Sequence, residues 1–186
     1  ASKEQGLDFK SLQFQYLYLT ELEDGKNSCS VLRTTLKEAV KELSSSLDRF
    51  QEFKEQTNGN SDDYISVGRQ YVLDNVNYWL FARKSRETCG IDVVTILYFY
   101  RDDCDACSNQ GVILSYFKNL FGDKLLVFPI DAGLEQEEPV VEILLNRFNV
   151  TKYPTIIVEN KKFEGVVWTD NLKEIICPYF KNESSC

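Results

Sequence analysis

Histidine is absent from this 186-residue chain, and the absence excludes a large part of enzyme chemistry. Without an imidazole there is no Ser-His or Cys-His nucleophile pair, no histidine-ligated zinc and no histidine general base. Methionine is missing too, even as an initiator, and the chain opens on the polar leader Ala1-Ser2-Lys3-Glu4-Gln5, the pattern expected of a processed or trimmed product. Basic clusters are lacking: 21 Lys and Arg face 29 Asp and Glu, the formal net charge is -8, and no basic run exceeds a pair such as Lys161-Lys162. Binding phosphates takes grouped cations that displace counterions, so nucleic acid is not an expected partner. No apolar run reaches the ~20 residues that cross a bilayer, and no signal-peptide pattern opens the chain. Any membrane anchor is therefore expected upstream of Ala1.

What the chain does have is a globular composition, 43% hydrophobic and 13% aromatic, enough for a sizeable core. It also has six cysteines, Cys29, Cys89, Cys104, Cys107, Cys177 and Cys186. An even set of this size is unusual in a reducing cytosol and ordinary in an oxidising compartment, so an extracytoplasmic or lumenal location is expected.

The hydrophobic period divides the chain in two. From Leu32, the positions Leu36, Val40, Leu43, Leu47, Phe50 and Phe53 step by three and four, one stripe on a helix of about 28 residues that Ser28 or Ser30 could cap. Turn formers at Thr57-Asn58-Gly59-Asn60-Ser61 interrupt it, and Asp62 or Asp63 can cap a second helix with the stripe Ile65, Val72, Val76, Trp79 and Leu80. Gly90 can close that helix in the left-handed region. The opening segment, Phe9, Leu12, Tyr16 and Leu19, is read as helical, although Leu12, Phe14, Tyr16 and Tyr18 also alternate as in a strand. These stripes are expected to be core.

From Asp92 the pattern becomes strand-like. Val93 to Tyr100 is a continuous β-rich run suited to burial on both faces. A helix through Val112, Ile113, Tyr116, Phe117 and Leu120 follows and stops at Gly122. Leu125–Phe128 reads as a strand, Pro139–Phe148 as a helix and Thr155–Val158 as a third strand. A hairpin at Asn160-Lys161 leads to a fourth strand, Lys162–Trp168, and a helix from Asn171 to Phe180 closes the order β-α-β-α-β-β-α. Right-handed crossovers would make the first pairings parallel and the final hairpin antiparallel. The expected organisation is a helical hairpin or bundle over 1–90, an α/β unit over 91–182 and a C-terminal tail over 183–186.

This order sets Cys104-Asp105-Ala106-Cys107 between a buried strand and the first turn of a helix, where unpaired amides and the helix dipole favour a thiolate. Here the sequence resembles the thioredoxin superfamily over roughly Ile91 to Phe180, with the cysteine pair after the first strand and Tyr153-Pro154-Thr155 leading into the third. The resemblance implies a thioredoxin-like fold and thiol-disulfide exchange on proteins. It implies that Cys104 attacks and Cys107 resolves, and that Pro154 is cis beside the disulfide while Tyr153 offers its backbone to a bound polypeptide. It implies no cofactor; its partners would be cysteine-containing protein substrates and an unidentified redox partner. The chain departs from the pattern in three places: no Trp precedes Cys104, the intervening dipeptide is Asp-Ala, and Tyr98 replaces the buried acid many relatives carry six residues before the first cysteine.

Two other readings remain open at this stage. One is a thioredoxin-like interaction module with a structural Cys pair; the other is a metal-binding protein, although two thiolates without His leave a site short of ligands unless Asp102 or Asp105 joins. For the other cysteines, two long helices of nearly equal length in an antiparallel hairpin would bring Cys29 and Cys89 together as a structural disulfide. Cys177 and Cys186 then pair by elimination or stay partly free.

Charge counting gives a redox expectation. The helix start favours a Cys104 thiolate by roughly 0.3–2 kcal/mol. Asp102, Asp103 and Asp105 oppose it by about 1–2 kcal/mol together in water-like dielectric. The near balance predicts a potential of roughly -200 to -270 mV, measurable by equilibration with glutathione; a value above about -150 mV would contradict it.

Overall fold

The computed structural model describes residues 29–57 and 62–186. The expectations for residues 1–28, including the helix from Phe9 to Leu19 and the Ser28 cap, lie outside the described residues, as does the turn 58–61. The elements are α1 (Cys29–Thr57), α2 (Asp62–Cys89), β1 (Val94–Tyr100), α3 (Asp105–Phe121), β2 (Leu125–Asp131), α4 (Pro139–Arg147), β3 (Thr155–Val158), β4 (Lys161–Glu164) and α5 (Thr169–Ile176). Helices flank a four-stranded mixed sheet of order β2-β1-β3-β4.

β1, β2 and β3 are buried on both faces, which explains their largely apolar sequences, whereas the edge strand β4 is mostly exposed. On one face Leu97, Phe99, Leu126, Phe128, Ile130 and Ile157 pack with Leu32 and Leu36 of α1, Val72, Trp79 and Ala82 of α2, and Val141 and Leu144 of α4. On the other, Ile96, Tyr98, Val127 and Ile156 meet Ile113, Leu114 and Phe117 of α3 and Leu172 and Ile176 of α5. The helical hairpin thus shares a core with the sheet. Pro129 sits inside β2, a position a strand tolerates where one edge makes no ladder.

Several expectations change on contact with the structure. β1 and β2 are parallel, but β3 runs antiparallel to β1, not parallel. The register gives the reason: β2 leaves the sheet at Asp131 opposite Tyr100, and β3 starts at Thr155 opposite Phe99, so the connection through α4 re-enters at the same end of the sheet, on the other side of β1. The hairpin turns at Glu159-Asn160, one residue early, with Glu159 in the left-handed region at φ 54. The Glu159 carboxylate compensates by accepting the Thr95 N–H at 2.7 Å. β4 ends at Glu164 because Gly165, at φ 78, turns the chain out of the sheet. The last helix stops at Ile176, and Pro178 continues it only as a 3-10 turn, since proline brings no N–H to the helix ladder.

At the hairpin, Ser30 and Asp62 lie inside their helices rather than at caps, while Asp62 and Asp63 place negative charge on the first turn of α2, where the dipole favours it. Leu80 of the α2 stripe and Val112, Tyr116 and Leu120 of the α3 stripe are exposed; the buried side of α3 is Cys107, Gln110, Ile113, Leu114, Phe117 and Phe121. Gly90 does close α2, at φ 59 with its N–H on the Arg86 carbonyl.

Cys29 at the start of α1 is bonded to Cys89 at the end of α2, with 5.5 Å between their Cα atoms and a sequence separation of 60. Cys177 is bonded to Cys186, and the tail is further held by Glu183 on Lys124 at 3.0 Å. Opening the long loop by Cys29→Ala with Cys89→Ala is expected to lower unfolding stability by about 3–4 kcal/mol. Urea unfolding of the two forms measures this, and equal midpoints would contradict it.

Candidate functional site

β1 delivers its C-terminal end to the loop Arg101–Asp103, and α3 begins immediately afterwards. Cys104 is the N-cap of α3, in extended conformation, and its sulfur accepts the Cys107 N–H at 3.1 Å. The two sulfurs are bonded to each other, with Cα atoms 5.2 Å apart. The pair is asymmetric: Cys104 is partly exposed, whereas Cys107 is 3% exposed and packed in the core under α3. An incoming sulfur can therefore reach Cys104 but not Cys107.

An open cleft of about 780 Å³ lies at Cys104. Three segments line it: Arg101, Asp103 and Cys104 after β1, Thr151, Lys152 and Tyr153 before β3, and Glu164 with Gly165 at the end of β4. The Tyr153-Pro154 peptide is cis, and the Pro154 carbonyl accepts the Gly165 N–H at 2.8 Å. Cys104, Cys107 and Tyr153 are brought to one end of the sheet. The Cys29–Cys89 and Cys177–Cys186 bonds gather at the other, where Lys181 reaches the Gly90 carbonyl at 2.7 Å.

Polar groups around the cysteines are occupied in ways the sequence did not reveal. Tyr98, in the place of the expected acid, lies beneath the helix start and donates its hydroxyl proton to the Cys107 carbonyl. Burial raises its pKa to about 12, so it is a neutral donor at physiological pH. The Arg101 guanidinium lies 5.0 Å from the Tyr153 ring centre and 3.8 Å from the Glu135 carboxylate. Lys54, on α1, pairs with Asp102, offsetting one of the three acids around Cys104. Glu164 is paired with Lys162 at 3.0 Å and Lys152 at 3.7 Å; the Lys162 hydrogen bond leads in holding its carboxyl below the usual range. Gln110, fully buried on α3, binds the Val167 backbone. Among the described residues no group of three or more Cys, Asp and Glu is arranged to hold a metal ion.

Comparison with known proteins locates the similarity in the same segment. The family model for TraF, the F plasmid transfer operon protein, matches residues 91–169, from the lead-in to β1 to the start of α5. A solved structure described as a malarial protein is 24% identical, with a TM-score of 0.39, over 47% of this chain and 97% of its own. Thioredoxin-2 of the malaria parasite, a component of its protein secretion machinery, is 27% identical over 45% of this chain and 81% of its own, with a TM-score of 0.38. Chloroplastic thioredoxin z is 19% identical over 53% and 88%, with a TM-score of 0.41. No curated protein matches.

Asp131, at the end of β2 beside this loop, is 7% exposed. Burial raises its pKa; the Gly133 N–H opposes that rise, Asp102 adds to it, and Lys54 and Arg101 oppose it. Because the folded state prefers the protonated acid, Asp131 costs stability increasingly as pH climbs from the ordinary carboxylate range through its raised native value. Asp131→Asn keeps an acceptor for Gly133 and removes the charge. The variant is expected to exceed the parent in urea stability at pH 7 and to match it near pH 3; a less stable variant at pH 7 would mean that Lys54 and Arg101 dominate.

Proposed function

We propose that this chain, whose segment from Ile91 onward is a thioredoxin-superfamily domain, exchanges disulfides with cysteine-containing proteins through Cys104 and Cys107. The observation that carries the reading is the asymmetry of the bonded pair at a helix start: Cys104 faces a cleft, and Cys107 is buried within reach behind it. In the reducing direction the Cys104 thiolate attacks one sulfur of a substrate disulfide, and the other substrate sulfur leaves as a thiolate. Cys107 then attacks Cys104, forming the internal disulfide and releasing the second substrate thiol, so the substrate gains two electrons and the chain loses them. A second redox partner must restore the dithiol. Run backward, the same steps oxidise a substrate dithiol.

The helix start favours the thiolate that each step needs. The Cys107 N–H on the Cys104 sulfur adds a donor to that charge. Tyr153 and the cis Pro154 supply the backbone against which a polypeptide would lie beside Cys104. Two further disulfides fit an extracytoplasmic or lumenal site of action, whether the chain is free or tethered; among the described residues no helix is long and apolar enough to cross a membrane.

Replacing Cys107 with Ser is expected to trap a covalent mixed disulfide with a protein substrate, visible on non-reducing gels, whereas Cys104→Ser traps little. In insulin reduction both variants should fall by at least about 100-fold, as when a nucleophile is removed. Full activity in both would place the chemistry elsewhere.

A further inference from the structure

We infer that Gln110 is a positioning residue of the exchange site: its buried amide, on the helix that carries Cys107, clamps the Val167 backbone and so fixes the Glu164–Gly165 wall of the cleft facing Cys104. The inference rests on the exchange reading above. Gln110 is 0% exposed, and a buried amide must spend both its donor and its acceptor on partners. It spends both on one residue: its Oε1 accepts the Val167 N–H at 2.7 Å, and its Nε2 donates to the Val167 carbonyl at 3.4 Å.

A neighbouring strand would bond Val167 in the same way, but Val167 lies past the end of β4 and ahead of α5, where the sheet no longer offers a partner. The segment between them is held at two points. Gly165 donates to the Pro154 carbonyl at 2.8 Å on the β3 side, and Gln110 grips Val167 on the α3 side. Because Gln110 follows Cys107 by three residues on α3, one face of that helix carries both the resolving sulfur and the clamp. Displacing α3 therefore displaces the wall with it. An apolar side chain at 110 would fill the space yet leave the N–H and carbonyl of Val167, itself 8% exposed, without partners.

Removing the clamp should matter most to substrates that lie along the wall. A polypeptide must fit between Tyr153 and Gly165, whereas a small aromatic disulfide needs only the Cys104 sulfur. The test compares the unsubstituted chain with Gln110→Met, which is close in size, and with Gln110→Glu, which keeps an acceptor for the shorter bond. Gln110→Met is expected to raise KM for insulin disulfides about tenfold while kcat, and the second-order rate with 5,5′-dithiobis(2-nitrobenzoate), stay within about twofold. Gln110→Glu should fall between. A KM within about twofold of the unsubstituted value, or parallel slowing of both substrates, overturns the positioning role.

Should Gln110→Met fail to fold, hydrogen exchange on the unsubstituted chain decides: the Val167 amide should be protected as strongly as the amides of β3, and exchange at the rate of an exposed peptide overturns the clamp. An unsubstituted chain that reduces neither substrate defeats the exchange reading itself, a result distinct from normal activity that Gln110→Met leaves unchanged.

Discussion

A strand can hand the chain to a loop only at its ends, and in this sheet β1 and β2 end where β3 begins. The loop carrying Cys104 and the segment carrying Tyr153 and Pro154 therefore emerge side by side, although about 50 residues separate them. The antiparallel return of β3 is what makes this possible: a parallel β3 would start at the opposite end of the sheet and leave Cys104 without its wall. The short α4, anchored through buried Glu138 to Arg69 of α2 at 3.1 Å, lies in the connection that brings the chain back to the end of the sheet it left, on the other side of β1. The cleft, the asymmetry of the cysteines and the seat of the cis peptide all follow from that return.

The same end of the sheet is where backbone groups run out of partners, and buried side chains take over the bonding. Tyr98 serves the Cys107 carbonyl and Gln110 serves Val167, so these backbone groups near the cysteine pair are satisfied without placing a charge there. At the far end, Arg86 donates to the carbonyls of Val93 and Tyr179, both at 2.7 Å, and two disulfides bind the hairpin and the tail. The division suits exchange chemistry. The two bonds that maintain the fold lie at the end of the sheet away from Cys104, which keeps them apart from a substrate seated in the cleft.

Much of this was legible in the sequence because it is encoded locally. The buried run Val94–Tyr100, the cysteine pair after it and the Pro154 strand opening announce themselves through composition and spacing. Equal helix lengths were enough to bring Cys29 to Cys89. What was not legible depends on residues far apart in the chain. Lys54 meets Asp102 across 48 positions, so counting charges along the loop alone overstates the repulsion at Cys104. Gln110 reads as an ordinary helix polar residue until Val167 lies over it. The direction of β3 was missed because the crossover rule concerns parallel neighbours, and nothing in the α4 sequence states at which end of the sheet the chain re-enters. Leu80 belongs to a stripe expected to be core yet is exposed, because apolar identity alone does not say which side of a helix faces the sheet.

The central claim is that the bond between Cys104 and Cys107 is the one this chain trades with other proteins. Differential alkylation with mass mapping measures it directly when the partly reduced chain is mixed with a disulfide-bonded protein. The account predicts that Cys104 and Cys107 alone become alkylatable on mild reduction, that they close again as the substrate's thiols appear, one bond for one, and that Cys29–Cys89 and Cys177–Cys186 stay closed throughout. Substrate thiols appearing while Cys104–Cys107 remains bonded, or reoxidation of the pair with no disulfide lost from the substrate, would contradict it.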